Sequence, residues 1–270
     1  MSESRVHPVF RPDFLEGKVA FVTGGGTGIC RGITEGLMRH GCRAVITSRK
    51  ADVLSQTAAE LSQATGRSCL GVAADVRKPD EVEAALDRTL EAFGRVDIVV
   101  NGAAGNFLAP AATLSYNAFR TVMEIDALGT FNVSKAAFTK YLGAHGGNIV
   151  NISATLHYKG TPLQTHPGSA KAAVDAMTRH LAVEWGPAGI RVNGIAPGPI
   201  DETEGMKRLA PGDVKQKVER QIPLGRFGRI DEIADATLFL VSDAATYITG
   251  TVLVVDGGAW MTMSSLVPWE

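Results

Sequence analysis

The chain has 270 residues, a net charge of −1 and 45% hydrophobic residues, a composition that excludes a disordered protein and argues against a nucleic-acid-binding one. Its three cysteines, Cys30, Cys42 and Cys69, form no CxxC pair, which excludes a disulfide framework and a thiolate zinc site. No run approaches 18 apolar residues, so we predict no membrane span and expect a soluble intracellular protein.

Short, nearly continuous apolar runs alternate with helix-length amphipathic segments along the whole chain. Such runs are typical of strands in a parallel sheet that is covered on both faces. The predicted strands are Val19–Thr23, Ala44–Thr47, Leu70–Ala73, Ile98–Asn101, Asn148–Ile152, Val192–Ala196 and Thr251–Val255. The predicted helices are Ile29–His40, Val53–Gln63, Pro79–Phe93, Tyr116–Leu142, Ser169–Trp185 and Ile230–Val241. This order predicts a single α/β domain of the Rossmann type, a doubly wound parallel sheet with helices on both faces.

Two segments fall outside this alternation. Residues 1–16 are predicted to form an extended N-terminal arm. Residues 197–223 contain prolines at 197, 199, 211 and 223 together with many charges, and they follow the carboxyl end of a strand, where open sheets bind ligands. We expect residues 197–223 to be a substrate-covering lobe, with an ordinary surface loop as the alternative.

A glycine-rich turn joins the first strand to the first helix. It comprises Gly24, Gly25, Gly26, Thr27, Gly28 and Ile29. Glycines let the backbone approach a pyrophosphate, and the helix N-terminus offers free N–H groups and a partial positive charge. The turn therefore predicts a dinucleotide site. Cys30 stands where the usual pattern has its last glycine, so we expect slightly looser packing of the helix on the sheet there.

The residues after the second strand indicate which dinucleotide binds. NAD enzymes place an acidic residue there for the ribose 2′-hydroxyl, whereas this chain has Ser48, Arg49 and Lys50. A hydroxyl and two cations attract a 2′-phosphate, so we predict NADP(H) rather than NAD(H); a solvated charge pair is the alternative. Asp75, after the third strand, is placed to bind the adenine edge, and Asn101–Gly105 would pack along the cofactor.

These motifs, together with Asn151-Ile-Ser, Arg191-Val-Asn, Pro197-Gly-Pro-Ile and Asp256-Gly-Gly, resemble those of the short-chain dehydrogenase/reductase family. The family's catalytic pair is Tyr-x-x-x-Lys, in which the lysine lowers the pKa of a proton-donating phenol. Lys171 is present, but Pro167 occupies the place of the tyrosine. Asp126 is a second departure, at a position where the family normally has asparagine.

Within the family, these departures resemble the peroxisomal type of 2,4-dienoyl-CoA reductase. The resemblance implies NADPH-dependent reduction of a 2,4-dienoyl-CoA to a 3-enoyl-CoA in unsaturated fatty acid beta-oxidation. Hydride would go to the δ carbon, and a water would protonate the α carbon. By the same resemblance, Lys171 would bind the nicotinamide ribose and, with Asp126, hold that water. Ser153 would bond the thioester oxygen as an oxyanion donor does, and Tyr158 is the alternative proton donor.

Other site residues follow from the resemblance alone. The cofactor would also contact Val76, Asn101, Ala103, Pro197, Gly198, Ile200 and Thr203. The acyl-CoA would contact Arg49, Arg77, Phe107, Ser115, Tyr116, Asn117 and Arg208. Arginine suits CoA phosphates because its guanidinium bonds them in bidentate fashion. For each single arginine, a solvated surface charge is an equal alternative.

Two other functions are compatible with the sequence. One is an NADPH-dependent carbonyl or 3-oxoacyl reductase of the same family, and the other is a non-catalytic NADP-binding sensor or scaffold. Retention of Lys171 and Ser153 argues against the scaffold. The six histidines show no metal-ligand spacing, so we predict no metal site and expect His157 and His166 to be loop residues rather than acids.

The resemblance also implies a homo-oligomer, either a dimer or a tetramer, and a peroxisomal location. The final residues, Pro268-Trp-Glu, do not form the peroxisomal tripeptide. A cytoplasmic location is expected if the source is bacterial.

Overall fold

A computed structural model describes residues 10–203 and 213–262 of the chain. In them, seven strands form one parallel sheet in the order β3-β2-β1-β4-β5-β6-β7. The strands are β1 (Val19–Thr23), β2 (Arg43–Ser48), β3 (Cys69–Ala73), β4 (Ile98–Asn101), β5 (Gly147–Ile152), β6 (Ile190–Pro197) and β7 (Val252–Val255). The predicted fold class is confirmed. The strand order reverses between β1 and β4, and in open α/β sheets that position forms a ligand-binding crevice.

Helices cover both faces of the sheet. They are α1 (Gly28–Arg39), α2 (Ala51–Thr65), α3 (Pro79–Phe93), α4 (Tyr116–Met123), α5 (Gly129–Ala137), α6 (Gly143–His145), α7 (Thr165–Trp185), α8 (Asp213–Glu219), α9 (Ile230–Val241) and α10 (Ala259–Thr262). Side chains of neighbouring strand residues divide between two buried clusters: Ala20 and Val22 belong to one, and Phe21 belongs to the other. This division explains why the strands read as continuous apolar runs.

The segment predicted as one helix over Tyr116–Leu142 is interrupted by two wider π turns, Glu124–Leu128 and Phe138–Leu142. The first π turn contains Asp126. Gly129 follows it and lies so close to the third-strand loop that a Cβ there would be 2.6 Å from a methyl of Val76. Single π turns inside helices often mark functional sites, and this one places Asp126 in the interior.

Helix α7 begins at Thr165, four residues before the predicted start at Ser169. Its first turn contains His166 and Pro167. Proline is well tolerated in a first turn because the N–H that it lacks would have no partner within the helix. The expectation that His166 is a loop residue is therefore wrong, whereas His157 lies in the loop before α7.

The described part of the N-terminal arm, residues 10–16, forms turns rather than an extended segment. The reason is apolar contact with the end of α1. Phe10 and Phe14 stack on each other and pack edge-on against His40. Leu15 is buried, and its N–H donates to the His40 carbonyl at 2.9 Å.

The predicted lobe at 197–223 is described at its two ends, 197–203 and 213–223. The second part contains α8. An ion pair of 2.6 Å between Lys215 Nζ and Asp201 joins the two parts. Nothing in 10–203 or 213–262 is a helix both long and apolar enough to span a bilayer.

Candidate active site

The phosphate-binding turn has the backbone that the glycine pattern predicts. Gly24 has a φ of +70°, and a Cβ there would lie 2.9 Å from the Gly102 carbonyl oxygen, so a side chain is excluded on both counts. Gly28, with a φ of +55°, begins α1. No side chain caps α1 at Thr27, which leaves the first N–H groups available to an anion. The turn fits a pyrophosphate.

Thr23 connects this turn to the loop after β4. Its hydroxyl accepts hydrogen bonds from the N–H groups of Gly102 and Ala103 at 3.0 and 3.1 Å. The two walls of the crevice are thereby fixed to each other. The sequence motifs did not reveal this role of Thr23. A polar side chain at the end of an apolar strand was the signal that could have indicated it.

Cys30 packs tightly against Gly102, so the expected looser packing at this position is not found. A Cβ on Gly102 would lie only 2.0 Å from the Cys30 sulfur. Burial raises the pKa of this thiol to about 12. The helix has Cys30 where the usual pattern has a glycine, and Gly102 on the opposing loop leaves room for its sulfur.

The end of β2 presents two unpaired cations. Arg49 and Lys50 are exposed and make no ion pair within the described part of the chain. Ser48 lies beside the glycine turn, since a Cβ on Gly26 would be 3.9 Å from its hydroxyl oxygen. A hydroxyl and two free cations next to the pyrophosphate turn fit a ribose 2′-phosphate.

Asp75 and Arg77, assigned to adenine and to acyl-CoA respectively, contact each other. The Arg77 guanidinium donates to both Asp75 carboxylate oxygens through Nε at 3.0 Å. This contact is the main reason that the pKa of Asp75 is lowered. An adenine or a CoA phosphate would have to share or break this pair. The neighbouring Val76 is buried, and its carbonyl accepts from Asn132 at 2.9 Å.

The carboxyl end of β6 continues into the stretch assigned to the nicotinamide. Pro197 ends the strand, and Gly198 lies so close to β7 that a Cβ there would be 2.5 Å from that of Asp256. Ile200 forms an isolated parallel bridge with Gly228. The two hydrogen bonds of this bridge are made by the residues on either side of Ile200, Pro199 and Asp201. The N–H and C=O of Ile200 itself therefore face away from Gly228. The carbonyl accepts from Thr203 at 2.9 Å, and no hydrogen bond joins the N–H to the backbone of another described residue.

A buried ion pair lies at the centre of the crevice. Lys171 Nζ is 3.2 Å from Asp126 Oδ2, and the two side chains are only 9% and 1% exposed. Lys171 also donates to the Ile152 carbonyl at 2.9 Å. Asp126 Oδ1 accepts from the Gly105 N–H at 2.7 Å, whereas Oδ2 has no hydrogen bond to a described residue. The structure thus joins the two predicted residues, and the ion pair with Lys171 is the one polar contact of Oδ2 among the described residues.

Asn101, the last residue of β4, is a further buried polar residue at this edge of the sheet. Its amide nitrogen donates to Ser134 and to Asn151, at 2.9 and 2.8 Å. Its own oxygen is buried without a partner among the described residues. The side chain therefore connects β4, β5 and α5, and the remaining oxygen is available to a water or a ligand group.

A second polar cluster surrounds Asp175, a buried residue for which the sequence motifs predicted no role. Its carboxylate accepts from the Ser153 hydroxyl, from His157 Nε2 at 2.8 Å and from the Tyr158 hydroxyl at 3.5 Å. Asp175 follows Lys171 by four residues in α7, so the two lie on the same face of the helix. That spacing was the signal that could have revealed it.

The Asp175 cluster constrains the proton donors. Ser153 has one proton and donates it to Asp175, so it would have to exchange that bond in order to donate to a thioester oxygen. Burial, followed by the Asp175 charge, raises the pKa of Tyr158 to about 12. Because Lys171 bonds to Ile152 and pairs with Asp126, Tyr158 lacks the activating lysine contact that makes a phenol a good acid.

Four of the residues assigned to the acyl-CoA lie in the loop after β4 or at the start of α4: Phe107, Ser115, Tyr116 and Asn117. Phe107 is half exposed, and its ring lies against the His166 ring at a tilt of 35°, with 4.3 Å between centroids. Ser115 caps α4 by accepting from the Ala118 N–H at 3.1 Å. Tyr116 and Asn117 follow it on the exposed first turn of α4. Arg208 lies outside the residues that the structure describes.

Comparison with known proteins identifies the family. A family model described as enoyl-(acyl carrier protein) reductase matches residues 24–260. The peroxisomal 2,4-dienoyl-CoA reductase of Danio rerio, named (3E)-enoyl-CoA-producing, is 58% identical over 258 residues, which cover 95% of this chain and 86% of that protein. The chain belongs to the short-chain dehydrogenase/reductase family, in its group of 2,4-dienoyl-CoA reductases. The predicted family and subgroup are confirmed.

Two further matches extend the likeness. A peroxisomal 2,4-dienoyl-CoA reductase of Saccharomyces cerevisiae is 51% identical over 254 residues, covering 93% of this chain and 87% of that protein. A gluconate 5-dehydrogenase from Burkholderia cenocepacia, solved with NADP and tartrate, superposes with a TM-score of 0.87 at 30% identity, covering 93% of this chain and 99% of that one. A nicotinamide cofactor is the ligand of this family's glycine turn.

Proposed function

We propose that the chain uses NADPH to reduce a 2,4-dienoyl-CoA to a (3E)-enoyl-CoA. The observation that carries this proposal is the site itself: the Lys171–Asp126 pair is buried in the crevice, while Pro167 replaces the phenol that serves carbonyl reduction. The names of the Danio and Saccharomyces relatives support the same reaction and product.

The preference for NADPH over NADH rests on the end of β2. Ser48, Arg49 and Lys50 would hold the 2′-phosphate, where an acidic side chain would repel it. Gly24 to Ile29 would hold the pyrophosphate, and Asp75 the adenine. The carboxamide would bind the Ile200 N–H, and Lys171 would bind the ribose hydroxyls.

The reaction needs stabilisation of an anion and one proton. A bound NADPH supplies the hydride that the δ carbon takes. The displaced π electrons then move to the thioester, giving a dienolate with charge on oxygen, where donors such as Ser153 are most effective. One water O–H bond breaks as the α carbon takes the proton. The hydroxide left behind takes a proton from the Lys171 ammonium, and solvent restores that proton.

A carbonyl reductase is the less well supported alternative. Reduction of a ketone produces an alkoxide, which needs an acid directly at oxygen. Tyr158 is the one phenol in this cluster, its pKa is raised to about 12, and it bonds to a carboxylate. Carbon protonation by a water places no such demand on a phenol.

The test follows NADPH absorbance with 2,4-hexadienoyl-CoA and, in parallel, with acetoacetyl-CoA. We expect turnover of the diene only, with the product double bond located by NMR. Asp126→Ala should lower the rate at least ~10²-fold, the scale of lost acid–base assistance, with NADPH binding retained. Turnover of the ketone alone would refute the proposal, and turnover of neither would favour a sensor or scaffold.

Assembly and location are proposed on the same likeness. The exposed apolar residues Leu128, at the end of the first π turn, and Phe131, in α5, would be covered in a homo-oligomer. Light scattering would measure its mass. The relatives are named peroxisomal, and we propose that location here. Co-localisation of a tagged chain with a peroxisomal marker in yeast tests it.

A further inference from the structure

His166 is a fully buried histidine, and neither ring nitrogen makes a hydrogen bond of good geometry to a described residue, although the Phe107 backbone lies near the ring. An unsatisfied buried polar group costs roughly 1–3 kcal/mol, so such atoms normally meet a water or a ligand. The imidazole has a further constraint. Burial lowers its pKa, although the nearby Phe107 backbone and Asp126 carboxylate oppose the shift. The ring is therefore neutral at neutral pH, with one nitrogen as donor and the other as acceptor.

The loop after β4 brings His166 to the same centre as the ion pair. Gly105 donates to Asp126 Oδ1 at 2.7 Å. Two residues later, the Phe107 ring contacts the His166 ring, with 4.3 Å between centroids. Two residues span at most about 7 Å of chain, so this short loop connects the carboxylate with the imidazole.

Asp126 provides a second buried polar atom with capacity for a further hydrogen bond. Its Oδ2 is buried, lacks a hydrogen bond to any described residue and lies 3.2 Å from the Lys171 ammonium. A carboxylate oxygen accepts, and a neutral imidazole both donates and accepts. A water needs two to four such partners to be held in a buried site. The oxygen and the ring nitrogen supply two of them, and Lys171 supplies a third.

We infer that His166 is a positioning residue that, with Asp126, holds the water which protonates the α carbon. This inference rests on the proposed function. His166 forms no bond to substrate and carries no proton in the step. Its ring N–H donates to a lone pair of the water, and Asp126 Oδ2 accepts from one of the two O–H groups. The other O–H then faces the substrate. The tilted contact with the Phe107 ring keeps the imidazole in that orientation.

The test uses two substitutions of matched shape. His166→Phe keeps an aromatic ring against Phe107 and removes both nitrogens, while His166→Gln keeps a polar atom. We expect His166→Phe to lower kcat by roughly 10- to 100-fold, the scale of a misplaced reacting group, with NADPH affinity retained in a fluorescence titration. His166→Gln should recover part of the loss.

Isotope effects separate this role from a structural one. When the water is poorly held, protonation becomes slower than hydride transfer. In His166→Phe the solvent isotope effect on kcat should rise, and the primary effect from deuterated NADPH should fall towards one. Unchanged isotope effects, or a rate within about two-fold of the native one, would overturn the inference.

A structural readout makes the inference independent of turnover. A crystal structure of the unliganded native protein should show a water between Asp126 Oδ2 and a His166 nitrogen, and the His166→Phe crystal should lack it. Absence of that water from the native protein refutes the role of His166 even if the dienoyl-CoA is reduced. Its presence in a protein that does not reduce dienoyl-CoA would instead refute the proposed function alone.

Discussion

Replacing Asp126 by asparagine separates the structural from the chemical role of the buried ion pair. Asparagine keeps the oxygen that accepts from Gly105 at 2.7 Å, but it puts an uncharged amide where Oδ2 lies 3.2 Å from Lys171 Nζ. At that distance the attraction is about 5 kcal/mol for an effective dielectric constant of about 20. Removing one partner of a buried pair costs roughly 3–5 kcal/mol. Because Lys171 keeps its bond to Ile152, we expect a loss near the lower end, about 3 kcal/mol.

The measurement is urea unfolding at fixed protein concentration, for the native chain, Asp126→Asn, Lys171→Met and the double variant. Each single variant leaves one buried charge unpaired, whereas the double variant leaves none. We therefore expect the double variant to lose at least about 2 kcal/mol less than the sum of the singles. Lys140→Met is the control: its partner Asp87 is half exposed, and such pairs contribute less than about 1 kcal/mol.

Activity decides the second half of this prediction. None of the three variants should recover dienoyl-CoA reduction, because even the stable double variant lacks the carboxylate and the ammonium that hold the water. Additive losses of stability would refute the assigned pairing. An active double variant would show that the pair is structural only.

Three further predictions address other parts of the site. Gly102→Ala should lower the free energy of unfolding by roughly 1–3 kcal/mol through overpacking against Cys30, as measured by urea titration. Adding Cys30→Ala should restore most of this loss. An equal loss from Gly102→Ala in the native chain and in Cys30→Ala would contradict the close approach. Arg49→Ala should weaken NADPH binding by about 10- to 100-fold, the worth of a charged hydrogen bond, and leave NADH binding unchanged when both are titrated by fluorescence. Burial lowers the pKa of His166 in the folded protein. As the pH drops below about 6.5, the imidazole therefore takes up a proton more readily in the unfolded chain than in the folded one, and the free energy of unfolding falls. In His166→Phe, unfolding curves from pH 7 to pH 5 should show a smaller loss than in the native chain.

The outline of the fold could be read from local pattern. Strands such as Val19–Thr23 and Ile98–Asn101 have the predicted ends, because an apolar run covered on both faces has a signature that does not depend on its partners. The early start of α7 was missed, since Pro167 suggests a break unless its place in the first turn is known. The π turn at Asp126 was missed as well, because the packing around it, such as the close approach of Gly129 to Val76, involves residues far apart in the chain.

By itself the sequence determined the family, the dinucleotide turn, the cations after β2 and the absence of a tyrosine before Lys171. These features are short motifs in a fixed order, and each is complete within a few residues. Only the tertiary structure decided which polar groups meet. Gly105 and Asp126 are 21 residues apart, and His157 and Asp175 are 18 apart. Contacts of that kind depend on how loops and helices pack at the sheet's edge, and so does the unsatisfied imidazole of His166.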